Sequence, residues 1–208
     1  MGSELVLYTN PQSRGRVARW MLEEIGEPYR TEVLEYATTM KAPAYLATNP
    51  MGKVPALRHG DVVVTETAAI CAYLADAFPA AQLAPPPADR LRGPYYRWLF
   101  FAAGPLEAAV SNNAMGFEVP AERERMMGYG RIDLVMNALE GALSRGEYLV
   151  GGQFTAADLY VGSLLGFFMM FGTIERRPAF ERYWQQISAR PACARAKALD
   201  DAMVPAPR

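Results

Sequence analysis

In the run from Thr48 to Leu57, TNPMGKVPAL, a proline stands where the following residues read as the start of a β-strand. Pro55 has no N–H to give to a ladder, so it belongs at a strand's first residues or at an interruption. If the Val54–Pro55 bond is cis, as X-Pro bonds can be, the Val54 backbone turns out of the sheet. An extended peptide could then pair with the Val54 N–H and C=O as an added strand. Eleven positions after Pro55, TETAAICAYL opens a helical pattern with Glu66 and Thr67. An acid and a hydroxyl are ordinary helix starters, favoured by the macrodipole and by unpaired N–H groups. The same N–H groups and the Thr67 hydroxyl also suit a ligand carboxylate, which leaves Glu66 to pair with an ammonium. Together they would grip an α-amino-acid head group.

The elements that must position these residues are legible around them. ELVLY (Glu4 to Tyr8) is a short apolar run closed by the turn residues NPQS. A helix follows: Ser13 is placed to cap it, Val17, Met21 and Ile25 recur at intervals of four, and Gly26 stops it. YRTEV (Tyr29 to Val33) alternates as a second strand, so the chain opens β-α-β. A weakly helical segment near Lys41 to Leu46 precedes VPALR and VVVT, which flank His59-Gly60-Asp61 as a hairpin, with His59 an ordinary turn residue. A helix from Glu66 to Ala77 ends before Pro79.

Pro85-Pro86-Pro87 separates this strand-bearing half from a purely helical one. The expected organisation is a βαβ-ββα domain over residues 1–79, a linker over 80–89 and an all-helical domain over 90–208. Helices are expected at Leu91 to Asn112, kinked at Gly104-Pro105, then at Ala121 to Ser144, Thr155 to Phe171, Pro178 to Ser188 and Ala192 to Ala202. Thr155-Ala156-Ala157-Asp158 reads as a capping box that serves folding.

Composition narrows the function. A net charge of −1 offers no basic field for nucleic acid or an anionic membrane surface, and no apolar run is long enough to span a bilayer. The opening Met1-Gly2-Ser3-Glu4 leads straight into the first strand without an apolar leader, which suggests a cytoplasmic protein. Two distant cysteines, Cys71 and Cys193, suit buried free thiols in a reducing compartment, and a single histidine supports neither a zinc cluster nor a histidine triad. No metal is expected.

The ordered set LYTNPQSRGRVARWMLEE, NPMGKVPAL, ETAAICAYL and GGQFTAADLYVGSLL resembles the soluble glutathione transferases over nearly the whole chain. The resemblance implies a thioredoxin-like first domain with a cis proline at Pro55, an all-helical second domain, glutathione as co-substrate and a homodimer. It implies that Val54 pairs with the cysteinyl unit of glutathione, that Glu66 and Thr67 hold the γ-glutamyl end, and that Lys41 and Lys53 meet the glycyl carboxylate.

The reaction implied adds the glutathione thiolate to a small hydrophobic electrophile. A thiol of reference pKa near 8.5 must be lowered by about two units, or roughly 2.7 kcal/mol. A hydrogen bond to an ionised group supplies about 1.5–3 kcal/mol and a helix N-terminus about 0.3–1 more. One hydroxyl at a helix start is therefore enough. Ser13 stands between the first strand and the first helix, as the serine does in family members that rely on one. Tyr8 is the rival, since other members use a tyrosine at the end of the first strand, although its spacing to Arg14-Gly15-Arg16 is longer here. Asn10 could donate to the sulfur and Arg16 could add positive field. The absence of a cysteine between Tyr8 and Arg16 disfavours mixed-disulfide chemistry. Trp98, Phe101, Asn112, Asn113 and Phe117 are the expected lining for the acceptor substrate. The readings held against the transferase are a non-catalytic binding module on the same scaffold and a glutathione-dependent peroxidase.

Overall fold

The computed structural model describes residues 4–204; Met1, Gly2 and Ser3, read above as leading into the first strand, lie outside the described residues. Packing divides the chain into two compact units. The first holds the described residues up to Gln82 together with those from Ala189 onward, and the second runs from Leu83 to Ser188.

The first unit is built on strand β1 (Leu5–Thr9), helix α1 (Gly15–Ile25), strand β2 (Tyr29–Val33), the short helix α2 (Pro43–Leu46), strands β3 (Ala56–His59) and β4 (Val62–Thr65), and helix α3 (Thr67–Ala77). The sheet order is β2-β1-β3-β4. β1 and β2 are parallel, joined by α1 as a crossover must join them, while β3 pairs antiparallel with both β1 and β4. Leu5, Leu7, Leu57, Val17, Met21, Ile70 and Leu74 are buried and form its core. On the opposite side of β1, Tyr8, Leu34 and Val54 pack on Met40, Tyr45 and Ala56. Gly26 ends α1 at φ 79°, its N–H bonded to the Leu22 carbonyl at 3.0 Å, a conformation that favours glycine.

Helix α9 (Pro191–Asp201) joins this unit, packed along α1. Sequence periodicity locates the helix but assigns it to the second half. Its attachment rests on ion pairs between residues more than 160 positions apart: Arg19 with Asp200, Arg190 with Glu24 and Arg195 with Glu23.

The second unit comprises α4 (Arg92–Phe101), α5 (Glu107–Ala114), α6 (Ile132–Leu143), α7 (Ala156–Met170) and α8 (Pro178–Ser188). The segment expected as a linker is packed from Leu83 onward: the Leu83 carbonyl accepts the Ala156 N–H at 2.7 Å, and Arg92 Nε donates to the Pro85 carbonyl at 2.6 Å. Between α4 and α5 the backbone widens into a π turn over Ala102–Leu106 around Pro105, where a kink was expected. The expected single helix over 121–144 is not formed. A 3₁₀ turn over Ala121–Met126 is separated from α6 by a stretch in which Gly130 takes φ 64°, a break that apolar periodicity alone does not reveal. α7 is apolar nearly all round and buried to match. A Cβ on Gly162 would lie 1.9 Å from an Ile187 methyl, so glycine is what lets α8 approach. Among the described residues no helix is long and apolar enough to cross a membrane.

Candidate active site

The turn between β1 and α1 is held from every side. The Asn10 side chain, only 4% exposed, accepts the Gln12 N–H at 2.9 Å and donates to the Leu34 carbonyl at 2.8 Å. Its amide is therefore committed within the loop, which weakens the expectation that it serves a ligand sulfur. The Asn10 carbonyl receives both the Ser13 N–H at 3.1 Å and the Ser13 hydroxyl at 2.7 Å. Gly15 lets α1 begin hard against β1, since a Cβ there would sit 1.9 Å from Thr9 Oγ1.

Ser13 was expected to cap α1, but the helix starts at Gly15 and Arg14 occupies the capping position without capping the helix through its side chain. Ser13 Oγ instead accepts the Gly15 N–H at 2.9 Å from one residue further out. The half-buried hydroxyl thus lies at the head of an 11-residue helix whose first turn holds no acid. Arg14 and Arg16 stand there instead, the reverse of what the macrodipole favours for helix stability. The first turn of the helix therefore holds no acid that would repel an anion at Ser13. Arg16 is not simply solvated: its Nε donates to the Pro11 carbonyl at 2.5 Å and its terminal nitrogen meets Asp201 of α9 at 2.7 Å.

Tyr8 is differently placed. Its ring packs on Tyr45, with centroids 5.6 Å apart, and it shares a sheet face with Arg58 of β3, one register step away. Strand alternation puts Tyr8 on the α2 side of the sheet, whereas Thr9, against which α1 begins, points the other way.

The Val54–Pro55 bond is cis, and the β1–β3 ladder begins only at Ala56. Among the described residues neither the N–H nor the C=O of Val54 has a backbone partner. The preceding peptide is fixed by two residues that sequence reasoning missed. The Lys53 carbonyl accepts the Tyr45 hydroxyl at 2.5 Å and the Asn49 amide at 2.9 Å. Burial pushes the Tyr45 hydroxyl up to about 12, which keeps it a neutral donor. The signal available was Asn49 before a proline, a residue suited to turn bonding. Lys41 Nζ donates to the Met51 and Gly52 carbonyls at 3.0 Å each, so it shapes the loop as well as presenting a charge. Lys53 is exposed, with no ion-pair partner among the described residues.

Glu66 immediately precedes α3, with its backbone at φ 65° and ψ 121°, and no side chain caps the helix. The first-turn N–H groups, beginning at Thr67, have no backbone partners among the described residues. The exposed Glu66 carboxylate is likewise without an ion pair there.

Of the residues expected to line an acceptor site, Trp98 is 3% exposed and packs as core against Phe101. Asn112 donates to the Tyr129 hydroxyl at 2.9 Å; Asn113 and Phe117 are exposed. His59, read as a turn residue, ends β3, stacks on Phe78 and shares a 2.9 Å hydrogen bond with the Tyr73 hydroxyl. Among the described residues no three His, Cys, Asp or Glu side chains gather as a metal site requires.

Comparison with known proteins identifies the family. Residues 14–77 match the family model for the glutathione S-transferase N-terminal domain and residues 113–191 that for its C-terminal domain. Glutathione S-transferase 1 of Schizosaccharomyces pombe is 30% identical over 211 residues, covering 86% of this chain and 91% of that protein. The crystal structure of a glutathione transferase from Methylococcus capsulatus superposes with a TM-score of 0.79 at 27% identity, over 96% of this chain and all of that one. A theta class glutathione S-transferase from Xanthomonas axonopodis pv. citri, solved with glutathione bound, gives 0.72 at 28% identity over 93% and 97% of the two chains. With both domains matched in order and the fold shared from end to end, the chain belongs to the glutathione S-transferase family and is a glutathione transferase.

Proposed function

We propose that the protein binds glutathione along the unpaired Val54 backbone, ionises its thiol with the Ser13 hydroxyl and adds the thiolate to a small hydrophobic electrophile. The cysteinyl unit pairs with the Val54 N–H and C=O. The γ-glutamyl carboxylate takes the free N–H groups and hydroxyl at Thr67, and Glu66 takes the ammonium. Lys53, aided by the Lys41 ammonium, faces the glycyl carboxylate. In this reading Phe101, Asn113 and Phe117 contact the acceptor, and Trp98 packs against Phe101.

The observation that carries the reading is the Ser13 hydroxyl at the head of α1, beside Arg14 and Arg16 and with no acid in the first turn. The step is loss of the thiol proton to solvent as the tripeptide binds, with Ser13 then donating to the thiolate and the helix start stabilising its charge. The enzyme works in the cytosol, which its free Cys71 and Cys193 suit, and as a homodimer. Exposed Tyr96 and Phe100, one turn apart on α4, supply apolar surface for a second copy to cover.

The test is a titration of bound glutathione by thiolate absorbance. A thiol ionising well below 8.5 supports the transferase; an unperturbed thiol, or no binding, indicates a non-catalytic module.

A further inference from the structure

The last helix of the chain reaches the thiol-activating turn through one arginine. Arg16 grips that turn at two points: its own N–H bonds the Ser13 carbonyl at 3.3 Å, and its Nε bonds the Pro11 carbonyl at 2.5 Å. The remaining side of the guanidinium meets Asp201 at 2.7 Å, on the final residue of α9. Asp201 is itself pinned by Lys197 at 3.0 Å, one turn earlier on the same helix. The register of α9 on α1 is set one residue before, by the buried Arg19–Asp200 pair at 2.8 Å. Arg16 and Lys197 hold the Asp201 carboxyl below its ordinary value, so it is ionised wherever the enzyme works near neutral pH.

A flexible arginine in a first helical turn would ordinarily sample several rotamers. A carboxylate fixed across from it selects the one in which Nε faces Pro11. We infer that Asp201 is a positioning residue, acting through Arg16 to hold the Pro11–Ser13 turn so that the Ser13 hydroxyl is aimed at the glutathione sulfur. The inference rests on the reading of Ser13 given above. It joins the carboxyl end of the described chain to a thiol-activating site nearly 190 residues earlier.

Positioning and simple charge predict opposite signs. As a charge alone, Asp201 opposes a nearby thiolate, and its removal would lower the thiol pKa. As a positioning residue, its removal loosens the donor, and the pKa rises. The experiment compares wild type, Asp201→Asn, Asp201→Glu and Ser13→Ala, with bound glutathione titrated by thiolate absorbance and kcat and KM measured across pH. Expected for Asp201→Asn is a rise of about half a pKa unit, with kcat lower by roughly threefold below that pKa and the KM for glutathione little changed. Asp201→Glu restores both. If Asp201→Asn titrates like wild type, or its thiol pKa falls, while Ser13→Ala raises the pKa, the inference is overturned and the Ser13 reading stands. If Ser13→Ala leaves the bound thiol as in wild type, the Ser13 reading fails and takes this inference with it.

Discussion

The Ser13 hydroxyl donates to the Asn10 carbonyl at 2.7 Å while accepting the Gly15 N–H at 2.9 Å. A hydroxyl has a single proton, so serving a thiolate means leaving the Asn10 carbonyl. That carbonyl keeps the Ser13 N–H at 3.1 Å, and the switch strands no buried acceptor. Ser13 can therefore rotate to a ligand at little cost and still hold the helix start with its lone pair. Ser13→Ala should lower turnover toward an aromatic halide by about ten-fold or more while glutathione still binds. Tyr8→Phe should be nearly silent, because Tyr8 packs with Tyr45 on the face of the sheet opposite the start of α1. Steady-state kinetics on both variants decide the matter: a damaging Tyr8→Phe beside a silent Ser13→Ala would reverse the assignment.

Glu66 offers a case in which stability and function pull apart. A non-glycine residue at φ 65° and ψ 121° is strained by about 1–3 kcal/mol, whereas glycine adopts such a backbone freely. Glu66→Gly should therefore stabilise the ligand-free protein by about 1 kcal/mol, after the entropy that glycine loses on folding. It should also weaken glutathione binding by roughly ten-fold, through loss of a charge-assisted bond to the ammonium. Glu66→Gln should weaken binding similarly with an unchanged melt. Thermal melts and calorimetric titration of the two variants measure both effects, and a lower melting temperature for the glycine variant contradicts the strain argument.

What the sequence revealed and what it withheld divide along chain separation. The bounds of β2 at Tyr29–Val33 and α8 at Pro178–Ser188 were readable because alternation and helical spacing are local patterns. The capping box at Thr155 and Asp158 was readable because its partners lie three residues apart. For the site, the unpaired Val54 backbone and the place of Glu66 at a helix head were visible in Pro55 and in the helix start at Thr67. The supports were not. Tyr45 and Asn49 meet the Lys53 carbonyl from eight and four positions away through a loop with no periodic pattern, and Arg58 comes beside Tyr8 only when β3 pairs with β1. The docking of α9 brings Arg19 to Asp200 across 181 positions, and nothing in a periodicity pattern carries that information.

The Arg19–Asp200 pair is a testable instance of a costly buried ion pair. The two side chains are 3% and 1% exposed, and Arg19 Nη2 and Asp200 Oδ2 are buried without a hydrogen-bond partner among the described residues. Burial raises the Asp200 carboxyl above its ordinary value in spite of Arg19, so desolvation outweighs the attraction. Breaking the pair from one side, with Arg19→Met or Asp200→Leu, should cost about 3–5 kcal/mol by stranding the other charge. The double variant should recover most of that loss. Melts of the three proteins measure the coupling, and strictly additive losses would show that the two charges are not coupled and that neither is stranded by loss of the other.

Asp158 does more than complete a capping box. Its two oxygens receive the Leu149 N–H at 2.7 Å, the Thr155 N–H at 2.8 Å, the Thr155 hydroxyl at 2.7 Å and the Tyr183 hydroxyl at 2.6 Å. One fully buried carboxylate thus ties the start of α7 to α8 and to the loop before it. Burial raises its carboxyl above the ordinary value against the pull of those four donors. Asp158→Ala would leave buried donors unpaired, at about 1–3 kcal/mol each before relaxation, so the net loss should be about 3 kcal/mol or more. Tyr183→Phe removes one donor and leaves the carboxylate three, and should cost only about 1 kcal/mol. Neither residue touches those assigned to glutathione, so the affinity of folded protein for the tripeptide should match wild type in both variants. A melting temperature for Asp158→Ala no lower than that of Tyr183→Phe would mean the carboxylate is not the tie this geometry describes.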